Sequence, residues 1–115
     1  MSVEHLARDF ARRSDDGDWA GLATLLAPGF RGEHVHAGTV FGRDDWVAFN
    51  TDNPVRVRFF LDDLVAAGEC AILRSDVCND DGTFHVVSFL TVAGGLITEL
   101  VEVWTDQIAT PEENQ

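Results

Sequence analysis

Lysine is missing from all 115 residues, and so is tyrosine. Positive charge rests on 8 arginines set against 20 acids, for a net charge of -12. That balance repels phosphate backbones and anionic membrane surfaces, and the arginines, at positions 8, 12, 13, 31, 43, 56, 58 and 74, form no basic stripe to offset it. Neither nucleic acid nor membrane is an expected partner. The missing tyrosine removes the phenol that several lyases and isomerases use as acid or oxyanion donor. No apolar run is long enough to span a bilayer, and the charged N-terminal stretch MSVEHLARDFARRSDD lacks the apolar centre of a signal peptide, so the expected location is the cytoplasm.

Cysteine is scarce as well. Cys70 and Cys78 fall on one expected strand, roughly 26 Å apart at about 3.3 Å per residue, which is far beyond disulfide reach. They read as buried thiols of a reducing compartment. What remains is an ordinary globular composition, 45% hydrophobic, in a length that suits one domain over residues 1–108, with 109–115 as a disordered tail. A domain of this size leaves large faces uncovered, so a homodimer is expected.

Apolar residues recur at helical spacing from Val3 to Ser14, and Ser14-Asp15-Asp16-Gly17 ends that run. Asp18 reads as the N-cap of a second helix with Trp19, Leu22, Leu25 and Leu26 on its buried side and Pro28-Gly29 as its stop. Residues 30–36 read as a short strand. Then RDDWVAFN reads as a third helix ended by Asn53-Pro54, its two aspartates favourably near the positive N-terminus. The remainder is β: VRVRFFLD from Val55, then ECAILRSDVC, then two strands after the Asp80-Asp81-Gly82 and Ala93-Gly94-Gly95 turns. The expected fold is α+β in the order ααβαββββ, three helices packed on one face of a curved, mostly antiparallel sheet.

Three-residue hairpin loops would set Asn79 opposite Thr83 and Val92 opposite Leu96. Asp76 then lies opposite Val86 and Val86 opposite Glu102, while Arg74, Ser88 and Leu100 form the neighbouring row. Arg74, Asp76, Cys78, Phe84, Val86, Ser88, Leu100, Glu102 and Trp104 share a pocket-lining face in that register, with Asp76 and Glu102 roughly 9.6 Å apart at the backbone. The opposite, mainly aliphatic face is expected to pair with a second subunit.

The stretches SDDGDWAGLATLLAPGF, FGRDDWVAF and GGLITELVEVWTD resemble those of the nuclear-transport-factor-2-like superfamily, in particular its SnoaL-like, polyketide-cyclase-type members. The resemblance covers about residues 3–106 and implies a cone-shaped pocket for a small apolar molecule, with no cofactor. Ketosteroid isomerases of this superfamily use a tyrosine and two aspartates, and the matching positions hold Phe10, His34 and Ser88. Limonene epoxide hydrolases use an Asp-Arg-Asp cluster. Arg74-Ser75-Asp76 and Glu102 resemble it, with His34 at the asparagine position and Gly32 at the tyrosine position.

The implied catalytic set is Arg74, Asp76, Glu102 and His34: an arginine between two acids keeps one ionised as base and leaves the other able to donate. Ligand contacts are expected from Phe10, Trp46, Phe49, Ser88, Leu100 and Trp104. The result is a cofactor-free hydrolase, isomerase or cyclase, and the alternative is a non-catalytic binding or dimerisation module in which the same charges form a structural ion network. His34-x-His36 has two of the ligands a metal needs and no placed third, so no metal is expected.

Overall fold

The computed structural model describes residues 2–53 and 57–105. The expected tail, the Pro54 stop and the start of a strand at Val55 lie outside the described residues. Helix α1 (Val3–Asp16) opens on Ser2, whose hydroxyl accepts the His5 N–H at 3.1 Å, and closes at Gly17, whose φ of 69° is the left-handed geometry glycine adopts without strain. Its buried stripe is Leu6, Ala7, Phe10 and Ser14. On its outer side, burial raises the Asp9 pKa, but hydrogen bonds from Arg12 and Arg13 outweigh that and hold the carboxyl below its usual range.

Helix α2 (Trp19–Ala23) has the expected Asp18 cap, which accepts the Gly21 N–H at 3.0 Å, but it stops three residues before Leu26. The sheet is the reason. The Leu25 carbonyl accepts the Ile97 N–H at 2.8 Å, and Leu26 pairs with Ile97, so strand β1 (Leu26–His34) starts where the helical spacing was expected to continue. A 3-10 turn (Val35–Ala37) leads to β2 (Thr39–Gly42), a strand too short and glycine-flanked to stand out in the sequence, and then to α3 (Arg43–Thr51). The last four strands are β3 (Arg58–Ala67), β4 (Cys70–Asn79), β5 (Gly82–Ala93) and β6 (Leu96–Trp104). The order is therefore ααββαββββ, one strand more than expected.

The six strands form one sheet in the order β2-β1-β6-β5-β4-β3, antiparallel except where β1 runs parallel to β6. The helices cover its inner face. The core there joins Leu6, Phe10 and Leu22 to Leu26, Phe30, Leu73, Leu90, Ile97 and Leu100. Trp46 is 2% exposed and packs beside Gly32, where an added Cβ would come within 3.1 Å of both the Trp46 and Phe30 rings. At Gly32 the missing side chain lets the indole lie against the strand.

Both hairpins differ from the expected register. In β4–β5 the Asn79 side chain accepts the N–H groups of Asp81 (2.8 Å) and Gly82 (3.1 Å), closing a two-residue turn so that Asn79 pairs with Gly82. This one-residue slip turns β4 over. Leu73, Ser75 and Val77 face inward, and Arg74, Asp76 and Cys78 face outward.

In β5–β6 the left-handed Gly94 (φ 62°) and Gly95 (φ 77°) form a two-residue turn that pairs Ala93 with Leu96. A bulge between Thr91 and Val92 then adds a second shift. The two shifts sum to an even number, so Ser88, Glu102 and Trp104 keep the inward face expected for them while their direct partners change. The cysteines follow the turned strand: Cys70 is exposed and Cys78 half-buried, instead of both being buried. No helix among the described residues is long and apolar enough to cross a membrane.

Candidate functional site

The three strands β1, β6 and β5 place three polar side chains in one row across the inner face. His34 pairs with Glu102 in the parallel β1–β6 ladder, and Glu102 pairs with Ser88 in the antiparallel β5–β6 ladder. Direct partners on one face stand about 5 Å apart, close enough for side-chain hydrogen bonds. His34 Nε2 lies 3.0 Å from Glu102 Oε1, and the Ser88 hydroxyl donates to Glu102 Oε2 at 3.4 Å. The imidazole and carboxylate are only 10% and 7% exposed. A buried carboxylate is costly to desolvate unless it is hydrogen-bonded, and this row supplies a partner for each oxygen.

The row lies on the wall of a cavity of about 850 Å³ between the helices and the sheet. Phe10 and Trp19 line it from the first two helices, Trp46 and Phe49 from α3, and Phe59, Phe84 and Trp104 from the sheet. The ring contacts fall into two groups, one around Trp46 and one around His34 and Trp104. Phe10 and Trp46 are stacked at 6.2 Å between centroids, Phe49 meets His34 edge-on at 5.4 Å, and Trp104 meets Phe59 at 6.3 Å. His36, from the 3-10 turn, stacks on His34 at 5.8 Å and lies 6.5 Å from Trp104.

Asp15 positions the Phe59 side of the wall. It accepts the Phe59 N–H at 3.0 Å and both Nε (2.8 Å) and Nη2 (3.1 Å) of Arg58, tying the end of α1 to the start of β3. These hydrogen bonds, with the charge of Asp15 behind them, raise the Arg58 pKa above its usual value.

Of the residues expected at the site, the structure brings His34, Glu102, Ser88, Phe10, Trp46, Phe49 and Trp104 together around the cavity. It does not bring Arg74 and Asp76 there. On the outer face, Arg74 pairs with Asp62 at 3.1 Å and Asp76 lies 2.7 Å from His85. The Arg-Asp-Glu cluster is not assembled, because the two-residue turn at Asp80-Asp81 puts β4 in the opposite parity. Leu100 is fully buried in the core instead of lining the cavity.

Among the cavity residues that sequence reasoning missed are Ser75, Leu73 and Val77, together with His36 and Phe59. A signal for the first three was present. In LRSDV the apolar Leu73 and Val77 share a parity and flank the small Ser75, whereas the charges occupy the other parity; that alternation marks the buried side independently of any assumed turn length. Among the described residues no group of three or more His, Cys, Asp or Glu side chains could hold a metal ion.

Residues 7–100 match the family model of the SnoaL-like domain. The chain belongs to that family. This SnoaL-like chain is 26% identical to a structure from Kribbella flavida provisionally assigned as a ketosteroid isomerase, with a TM-score of 0.87 over 95% of this chain and 82% of that one. An NTF2-like protein of unknown function from Mesorhizobium loti is 27% identical, with a TM-score of 0.76 and 90% of both chains covered. IdmH of Streptomyces antibioticus, provisionally assigned as a polyketide cyclase, shares the fold at 16% identity, with a TM-score of 0.80 over 92% of this chain and 94% of that one. No curated protein matches the sequence. Family and fold are thus fixed for this SnoaL-like domain, while the chemistry rests on its own side chains.

Proposed function

We propose that this SnoaL-like domain binds a small, largely apolar molecule in its cavity and moves a proton on it through His34 and Glu102. The observation that carries the reading is a buried His–carboxylate pair on the wall of an aromatic cavity of about 850 Å³. With Glu102 ionised and accepting from Nε2–H, the neutral imidazole keeps its acceptor on Nδ1. His34 then takes a proton from the substrate at Nδ1 and returns it at a second position, while Glu102 holds the imidazolium that forms between the two steps. Ser88 fixes the second carboxylate oxygen. Phe10, Trp46, Phe49 and Trp104 orient the apolar body of the substrate and exclude water. Arg74 and Asp76 take no part, because they lie on the other face.

Screening enolisable polycyclic ketones and small epoxides tests this. Any turnover found should fall at least about 100-fold in Glu102→Gln with substrate affinity retained. Undiminished turnover in that variant would overturn the proposal.

A second reading, a non-catalytic binding module, draws support from the positions that would assist an oxyanion, since Phe10 and Ser88 stand where ketosteroid isomerases place a tyrosine and an aspartate. Under it, Glu102→Gln changes stability and leaves no activity to lose.

The outer face carries exposed Phe60, Val65, Ile72, Phe89 and Val103 around charges of both signs. A second copy of the chain suits it, because the same mixed patch presented twice can pair Arg74 of each copy with acids of the other. Sedimentation of the wild type against Phe89→Glu checks this, with a dimer expected only in the former.

A further inference from the structure

The described lining of the cavity contains no arginine, and the chain has no lysine to place there. Its formal charges are the carboxylates of Asp16 and Glu102, within a molecule of net charge -12. Asp16 has Arg12 at 3.8 Å to offset its charge, which leaves Glu102 and the net negative charge of the molecule to repel an anionic ligand and draw in a cation.

The hydrogen-bonding groups point the same way. Four lining side chains donate to the protein itself: Ser14 to the Phe10 carbonyl at 2.9 Å, Asn50 to the Trp46 carbonyl at 2.8 Å, Thr51 to the Val47 carbonyl at 2.8 Å and Ser88 to Glu102 at 3.4 Å. The indole nitrogens of Trp46 and Trp104 are shielded from solvent without a partner, so they offer no accessible donor to a guest. Acceptor capacity is in surplus. A carboxylate has about four lone-pair sites, and Glu102 uses one on each oxygen. In its Nε2–H tautomer a neutral His34 donates one hydrogen to Glu102 and adds no charge of its own. Ser75, His36 and Asn79 also line the cavity and can donate to a guest, whereas a guest with N–H donors meets the one buried carboxylate, Glu102.

The walls complete the arrangement. Phe49 and Trp104 flank the His34–Glu102 row, with Phe59 beyond Trp104. Aromatic faces attract an ammonium through the ring quadrupole, more strongly when water is excluded.

We propose that the cavity selects apolar molecules carrying a basic amine, with the ammonium seated against the Glu102 carboxylate and among the faces of Phe49, Phe59 and Trp104. This names the ligand class for the cavity and rests on the reading that the cavity binds a small molecule. A charged nitrogen beside an aromatic or alicyclic body is the chemistry that the site recognises.

Three probes of one skeleton test the idea by calorimetry near pH 7.5: 2-(aminomethyl)naphthalene, 2-naphthalenemethanol and 2-naphthoate. The amine should bind at least about tenfold more tightly than the alcohol, and the carboxylate should show no measurable binding. In Glu102→Gln the amine should lose its advantage and bind no more tightly than the alcohol binds to the same variant. An alcohol that binds as well as the amine overturns the amine proposal and leaves the cavity reading intact. An amine preference that survives in Glu102→Gln and disappears in high salt also overturns it, because the overall field and not the buried carboxylate is then responsible. If none of the three binds, the cavity reading fails and the amine proposal fails with it.

Discussion

The sheet carries one histidine–carboxylate pair on each face, and the two pairs look alike only by distance. On the outer face His85 and Asp76 are 2.7 Å apart with side chains 46% and 43% exposed. Inside, His34 and Glu102 are 3.0 Å apart and 10% and 7% exposed. The outer contact is the shorter, but its two atoms, although shielded from solvent, are not aligned for a hydrogen bond, and the rest of both side chains stands in water. Exposed pairs of that kind are worth about 0–1 kcal/mol, because water and salt screen them. The inner pair sits where the dielectric is low, and stranding either partner there costs about 1–3 kcal/mol or more. Burial, more than separation, sets the two pairs apart.

Breaking each pair in turn should separate them clearly. The largest effect is expected for Glu102→Gln, with turnover lower by about 100- to 10,000-fold and a melting temperature within a few degrees of wild type, whereas Asp76→Asn should leave kcat/KM unchanged. Equal losses in steady-state kinetics would erase the distinction between the faces.

Next in size comes a test of strand parity. Ser75→Phe should push a ring into the cavity and weaken ligand binding at least about tenfold at a stability cost of about 1–3 kcal/mol. Arg74→Phe, one residue away, should leave affinity unchanged in the same titration. Ser88→Ala should be milder, removing one hydrogen bond to Glu102 for about 1 kcal/mol in urea denaturation. The smallest effect belongs to the outer pair: a double-mutant cycle between Asp76 and His85 should give a coupling below about 1 kcal/mol that shrinks with added salt.

Much of the fold could be read from local pattern. Asp18 caps α2 and Gly17 ends α1 as their residue types require, and Gly94-Gly95 marks a tight hairpin. Helix α2 is shorter than its apolar spacing predicts, because Leu25 and Leu26 fit a helical stripe equally well until Ile97 arrives to pair with them. The strand Thr39–Gly42 gave too few residues for a period-two pattern to emerge.

Of the candidate residues, His34, Ser88 and Glu102 face the cavity as expected, and Arg74 and Asp76 lie on the outer face. The two outcomes share a cause. A strand's inward face depends on whether its register shift is odd or even. The β5–β6 turn and bulge together shift by an even number, while the Asn79-capped turn alone shifts by an odd one.

The sequence by itself determined the family, the α+β class, the acidic surface without lysine and the residue types available for acid–base work. The family is carried by the resemblance of three short stretches, and the rest follows from composition and from short-range periodicity, which act within a few residues of the chain. Only the tertiary structure decided that Glu102 meets His34, a residue 68 positions earlier, and not Arg74 or Asp76. That choice rests on a parallel ladder between distant strands and on one asparagine closing a turn. Both are settled by which hydrogen bonds close in three dimensions, and a one-residue difference in pairing reverses the face on which a charge appears.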